Sequence, residues 1–443
     1  MIGFAQAFRT PDLRKKLLFT LGVLVLFLFG SNLPAPGISE PAVRYCSGLE
    51  SSLGSAASVY AVLNLFSGNS LLHVTIFAVG IMPYITASII VQLLTQVIPR
   101  LQALKEEGRA GQAKITQYTR YLTVGLGVVV SAGYVQLARS GSLFPGTDCS
   151  AVSHPLIPHP TLTTLVTMMI TMVSGTAVIM WMGELITDRG VGNGMSVLVF
   201  TSVTAGIFTE FEQIYLTKGI RLTLTAVVVV IALVAFVVFM EQAQRRIPVQ
   251  YAKRMTGRRV YGGTSTYIPL KVNQAGVVPV IFATSLLSIP RLAASLLGHA
   301  NRPQAWVAWV DRYLNPNSAY PQFYFLVFFL LILTFTYFYA WITFSPAEVS
   351  DTIKRYGGFV PGLRPGTPTA EYLSYVLARL TAAGSVYLAV IAMFPLVALG
   401  MIGVGTQVLI SGVSLLILVG VGLDTVKQIE SQLQQRNYEG FLR

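Results

Sequence analysis

Residues 51–99 read SSLGSAASVYAVLNLFSGNSLLHVTIFAVGIMPYITASIIVQLLTQVIP, 49 residues without an Asp, Glu, Lys or Arg. A helix that crosses a membrane needs about 20 predominantly apolar residues, so this run is long enough for more than one passage. It is not uniform: Ser67-Gly68-Asn69-Ser70 interrupts it, and such a cluster breaks a helix. Beyond the break a span is expected at about 74–97. Before it, residues 56–72 are apolar enough to enter a membrane but too short to cross one. Non-spanning backbone at membrane depth persists only where protein or a cavity surrounds it. Two readings follow: a re-entrant half-helix in the middle of the protein, or an interfacial helix lying on the surface.

Working outward, charge-free runs recur along the chain and are cut at Pro, Gly and polar breaks. The expected spans are about 17–35, 74–97, 121–138, 161–183, 193–209, 222–240, 273–290, 321–343, 379–396 and 403–422, ten in all. Only 11% of the 443 residues are charged and 53% are hydrophobic, whereas soluble chains carry roughly 25% charge. A mean hydropathy of +0.64 excludes disorder, which needs low hydrophobicity. The expected class is an all-α integral membrane protein. Arg14-Lys15-Lys16 before an apolar run has the order of a signal peptide, but the run is long and Pro34-Ala35-Pro36-Gly37 follows it, so it is read as a retained first span.

The net charge of +13 is informative through its placement. With the N-terminus in the cytoplasm, 24 of the 31 Lys and Arg fall on the cytoplasmic side and seven outside. Lys and Arg in short loops stay inside, so both termini are expected to be cytoplasmic. Trp181 and Trp341 then fall at cytoplasmic interfaces. Five spans per half, residues 1–215 and 216–443, reverse the starting side between halves. If the halves share a fold they form an inverted repeat, with the functional axis between them.

No HExxH, GxSxG or P-loop signature is present, and no ionisable side chain lies in the middle of an expected span. Proton relays and ion-coupled carriers are built from such groups. A secondary transporter for a small solute is therefore the runner-up to a passive conduit, and a membrane enzyme would lack a catalytic constellation. The sequence names no cofactor and no metal; His73, His154, His159 and His299 fall in or beside outer loops, without carboxylates at ligand spacing. Cys46 and Cys149 both fall in outer loops, on a side that is oxidising in most bacteria; they are either unpaired thiols or a disulfide.

Two basic loops, 244–272 and 344–378, stand out. The first carries seven basic residues and no acid over 245–271. Val249, Tyr251 and Val260-Tyr261 are β-formers around a Thr256-Gly257 turn, so short strands or a hairpin tip are expected. Such a loop suits an anionic partner such as ribosomal RNA, an acidic protein surface or anionic lipid. In the second, Gly357-Gly358-Phe359-Val360-Pro361-Gly362-Leu363-Arg364-Pro365-Gly366 holds Arg364 on a stiff turn.

These stretches, with LPAPG (33–37), NLFSG (64–68), GIMPYITASIIVQLL (80–94), EEGRAGQAKITQYTRYL (106–122), WMGELITDRGVGNGMS (181–196), KVNQAGVVPVIF (271–282), GGFVPGLRPGTPT (357–369) and QRNYEGFL (435–442), resemble the SecY family, the channel subunits of the bacterial Sec translocon. The likeness runs from about residue 10 to the C-terminus and is poor around 38–58 and 139–160. It implies an hourglass channel of two inverted five-helix halves in the bacterial cytoplasmic membrane, opening sideways between spans 2 and 7. Asn64, Phe66 and Gly68 then belong to a plug, which favours the re-entrant reading of 56–72. Ile81, Ile85, Val199, Ile281 and Ile417 match an apolar pore ring, with Val203 as a sixth member; Val199 stands where isoleucine is usual. Thr86, Gln92 and Asn273 match the polar cluster of a lateral gate. Arg258, Arg259 and Arg364 match positions that dock the ribosome or the SecA motor, while Gly111-Gln112-Ala113-Lys114 is less basic than in many relatives. The implied partners are SecE and SecG subunits, SecA, the ribosome, signal peptides, nascent chains and lipid.

Overall fold

The computed structural model describes residues 10–43, 45–46, 70, 74–140, 156–251, 254–256, 259–261, 265–297, 305–314, 321–401 and 412–441. The first long helix is α1 (Pro11–Ser31), opened by proline at its first position, where the missing N–H costs nothing. Val23 and Phe27 turn inward while Leu18, Leu21, Val25, Leu26 and Phe29 are exposed. That strip would be a liability in water and is at home against lipid tails.

The expected span 74–97 is helical only in part. Residues 74–81 are irregular and α2 covers Met82–Val97. Gly80 adopts φ 62°, a left-handed value that suits glycine. Buried irregular backbone needs partners, and α1's trailing loop supplies them: Ala35 N–H donates to the Val74 carbonyl at 3.0 Å and Ile76 N–H to the Leu33 carbonyl at 2.9 Å. Phe77 stacks on Phe27 with ring centroids 6.0 Å apart. On the other side Gly175 abuts this stretch, and a Cβ there would overlap the Ile76 carbonyl oxygen. Gly175→Val is expected to cost about 1–3 kcal/mol through overpacking, read as a lower thermal midpoint in detergent. A parental midpoint would contradict the close approach.

After α2 the chain bends by 99° into α3 (Pro99–Glu106). Pro99 drives Ile98 to an extended ψ of 113°. Next come α4 (Arg109–Ser140), α5 (Leu162–Arg189), α6 (Gly194–Lys218) and α7 (Ile220–Gln242). The Thr161 side chain caps α5 and that of Asn193 caps α6. The second part holds α8 (Val278–Leu297), α9 (Ala305–Tyr313), α10 (Pro321–Thr343), α11 (Pro346–Arg355), α12 (Thr367–Met401) and α13 (Gly412–Phe441).

Between α7 and α8 the expected hairpin is present. β1 (Gln244–Tyr251) pairs antiparallel with β4 (Ser265–Lys271), from Gln244↔Lys271 to Gln250↔Ser265. A tip of β2 (Arg254–Thr256) and β3 (Arg259–Tyr261) continues it. Unforeseen from sequence is β5 (Gly358–Phe359), which pairs with the far end of β1, so the sheet order is β4-β1-β5. Ile247, Val249, Leu270, Ile353, Val360, Leu373 and Val376 form a small core that binds the two loops together.

Six described helices are long and apolar enough to cross a membrane, or seven if the bent α2–α3 pair is one span. The apolar parts of α6 and α8 are shorter, and α1 carries Arg14-Lys15-Lys16 within its first two turns. The chain is a multi-pass membrane protein. Its largest buried cluster gathers residues from α1, α2, α5, α6, α7, α8, α9, α10, α12 and α13.

Candidate functional site

Ile81 precedes the first turn of α2 and Ile85 lies within it. Val199 and Val203 are four apart on α6 and so share a face. Ile281 is in the first turn of α8 and Ile417 in the second turn of α13. Ile81, Val199, Val203, Ile281 and Ile417 are all buried in the largest cluster, and half-buried Ile85 packs against it. Helices from both ends of the chain thus contribute these aliphatic side chains to the same extended buried cluster. Apolar side chains at a constriction exclude water and seal it without recognising any particular sequence.

Beside this cluster α2, α8 and α10 meet. Ile89 of α2, Ala275 ahead of α8 and Tyr339 of α10 form a buried cluster, with Ile85, Leu93, Val278 and Phe282 against it. Phe282 meets Phe335 edge-on at 4.3 Å between centroids, a favourable aromatic geometry. Of the three polar residues expected together, Thr86 is half-buried on α2. Gln92 accepts a 2.7 Å hydrogen bond from the Tyr339 hydroxyl. Asn273, only 3% exposed, donates instead to Glu241 Oε1 at 2.6 Å. The hydrogen bonds of Gln92 and Asn273 therefore run to two side chains that the sequence did not single out. Glu241 could have been noticed as the first acid after a long charge-free run; Tyr339 is hidden among the aromatics of α10.

Two residues before Asn273, at the end of β4, Lys271 Nζ lies 3.6 Å from Asp424 of α13. A cavity of about 670 Å³ opens there, lined by Asn193, Ser196, Asp424, Thr425, Lys427 and Gln428 among others. Its lining mixes amide, hydroxyl and both signs of charge, which offers polar contacts without a fixed chemical preference. Farther around the bundle Arg120 of α4 grips Glu184 of α5 through two hydrogen bonds, 2.9 and 2.6 Å, the strong bidentate form.

Arg364 is exposed, between Gly362 at φ 89° and Gly366 at φ 112°. Its turn is tied down by Thr369 Oγ1 donating to the Arg364 carbonyl at 2.8 Å and Ser350 Oγ to that of Gly366 at 2.7 Å. The backbone of Arg259 pairs with Thr256 in the hairpin tip; Arg258 lies outside the described residues, as do Asn64, Phe66, Gly68 and Cys149. Cys46 is fully buried and disulfide-bonded. Among the described residues no three His, Cys, Asp or Glu are grouped to hold a metal ion.

The family model described as SecY matches residues 75–426. The chain is 55% identical to the protein translocase subunit SecY of Streptomyces scabiei over the whole of both chains. Two solved structures share the fold. One, described as the structure of a protein conducting channel, has a TM-score of 0.64 at 17% identity and covers 94% of this chain and 91% of its own. The other, Sec61 in the canine ribosome-channel complex from the endoplasmic reticulum, has a TM-score of 0.61 at 16% identity with the same coverage. With a family match across most of its length and more than half its residues shared with a full-length relative, the chain belongs to the SecY family.

Proposed function

We infer that this protein-conducting channel moves unfolded secretory polypeptides across the bacterial cytoplasmic membrane and passes membrane segments sideways into lipid. The observation that carries the reading is identity to a protein translocase subunit along the whole chain. Supporting it, aliphatic side chains of α6, α8 and α13 and Ile81 ahead of α2 belong to one buried cluster, and among the described residues the α2–α8–α10 seam pairs apolar contacts with the Gln92–Tyr339 hydrogen bond. A sequence-blind apolar ring suits a substrate with no fixed sequence; a small-solute carrier would need a specific polar site at the same depth.

The finer architecture belongs to the same proposal: ten spans in two inverted halves (1–215 and 216–443), both termini cytoplasmic, and a plug at 56–72 that includes Asn64, Phe66 and Gly68. The charge asymmetry of the loops supports the orientation. Single cysteines in the 244–272 loop and in the α8–α10 connection, in a variant lacking Cys46 and Cys149, test it. The first is expected to resist a membrane-impermeant thiol reagent in intact cells and the second to react; the reverse pattern would invert the topology. Cys149, the chain's other cysteine, is proposed as the disulfide partner of Cys46.

We place the docking of SecA or a translating ribosome on Arg258, Arg259 and Arg364, with SecE and SecG as companion subunits. The solved Sec61 relative is described in a ribosome-channel complex, and here β5, five residues before Arg364, pairs with β1 of the basic loop. Arg258→Glu, Arg259→Glu and Arg364→Glu are expected to weaken ribosome binding and to lower its salt dependence by roughly one unit of slope per lost phosphate contact. Arg→Lys should rescue only in part, because lysine does not reproduce the bidentate fork. Normal binding by all three Glu variants would return these arginines to the role of topological anchors.

A further inference from the structure

The short helix α9 (Ala305–Tyr313) is apolar on two sides. One side carries Val307 and Val310, continued by Leu314 just past the helix end; all three are buried in the largest cluster of the protein. This side fastens α9 in the cluster that it shares with α8 and α10, both of which it contacts. The rest of the helix surface shows Ala305, Trp306, Ala308 and Trp309, with Arg312 in the last turn, all exposed. Trp306 is 38% and Trp309 50% exposed. Packing against the largest cluster accounts for Val307 and Val310, while both indoles keep a large part of their surface exposed although Trp309 meets Tyr313 and Phe323.

The ring contacts fix the depth of that outer side. Phe323 is the third residue of α10, an apolar helix of 23 residues. At 1.5 Å per residue such a helix roughly matches a hydrocarbon layer of about 30 Å, so Phe323 sits at the edge of that layer. The Trp309 ring stands 6.4 Å from the Phe323 ring and the Tyr313 ring 5.5 Å from it, both edge-on. The outer side of α9 is thus level with the boundary between acyl chains and headgroups. Tryptophan and tyrosine favour that zone because they join an apolar body to a polar N–H or O–H, and a nearby arginine can extend its head to phosphate.

We propose that α9 lies in the headgroup layer of the bilayer, with Trp306 and Trp309 against lipid, and that it holds the adjoining end of α8 at a fixed depth. The occupant of this surface is the bilayer itself, on whichever side of the membrane this end of α8 lies. The proposal depends on α10 crossing the membrane and is independent of the gate and docking assignments.

The test uses the full chain with Trp181→Phe and Trp341→Phe, which leaves Trp306 and Trp309 as its only indoles. It is reconstituted in phosphatidylcholine vesicles whose acyl chains carry bromine at shallow or at deep positions. Emission should be quenched most by shallow bromine, less by deep bromine and least by aqueous iodide. Dominant iodide quenching would place the indoles in water, and insensitivity to both quenchers would place them under protein; either result overturns the proposal. Should the double variant fail to accumulate, the difference in bromine quenching between the native chain and Trp306→Phe/Trp309→Phe reads the same two indoles. No difference there also overturns it.

Discussion

Ile281→Lys is expected to make the resting channel leak ions. Ile281 is 9% exposed and sits in one buried cluster with Val199, Val203 and Ile417, contributed by α6 and α13. As members of the proposed pore ring these side chains would close a constriction that excludes ions because water does not fill it. An ammonium at membrane depth costs about 2.5–3.5 kcal/mol on insertion scales, and the cheapest relief is to draw in water. That water is the conducting path. In planar bilayers the Lys variant should pass current without a translocating chain, and Ile281→Leu, which conserves volume, should remain tight. Equal tightness in both would remove Ile281 from the seal.

The second large effect is expected at Glu241. Its Oε1 accepts from Asn273 Nδ2, and Asn273 Oδ1 has no partner among the described residues. Glu241→Ala would leave that buried amide without either bond. A hydrogen bond to a charged group contributes about 1.5–3 kcal/mol, and a stranded buried donor costs about 1–3 kcal/mol. The purified variant should unfold at a clearly lower temperature. Glu241→Gln keeps an acceptor at the same reach and should lose much less. Removing both polar groups, as Glu241→Leu/Asn273→Leu, should cost less than the two single changes added, since the pair shares one bond. Strict additivity would mean the bond contributes nothing.

Apolarity along the chain was legible because lipid imposes it: α1, α2, α4–α8, α10, α12 and α13 fall on expected apolar segments. Conformation within those segments was less so. Residues 74–81 are as apolar as a helix, yet they are irregular because Gly80, Pro83, the Leu33–Ala35 backbone and the bare face of Gly175 favour another path. Three of those four come from outside the segment. The hairpin was readable because β-formers flank a local turn; β5 was not, because its pairing with β1 spans over 100 residues. Likewise Gln92 and Asn273 could be named, but their partners Tyr339 and Glu241 come from other helices. The aliphatic ring had no signal of its own among so many buried aliphatics, and only the family likeness singled it out.

The three-stranded sheet has a mechanical corollary. β1 begins two residues after α7 ends, β4 ends seven residues before α8 begins, and β5 lies between α11 and α12. Strand pairing therefore links the neighbouring ends of α7, α8 and α12, because sliding one strand past another breaks ladder bonds and disturbs the apolar core under the sheet. A displacement of the hairpin reaches α8 through the connector 272–277, where Val272 N–H donates to the Ala243 carbonyl at 3.0 Å. In the proposed sideways opening, movement of α8 away from α2 would draw the paired strands and the end of α7 with it.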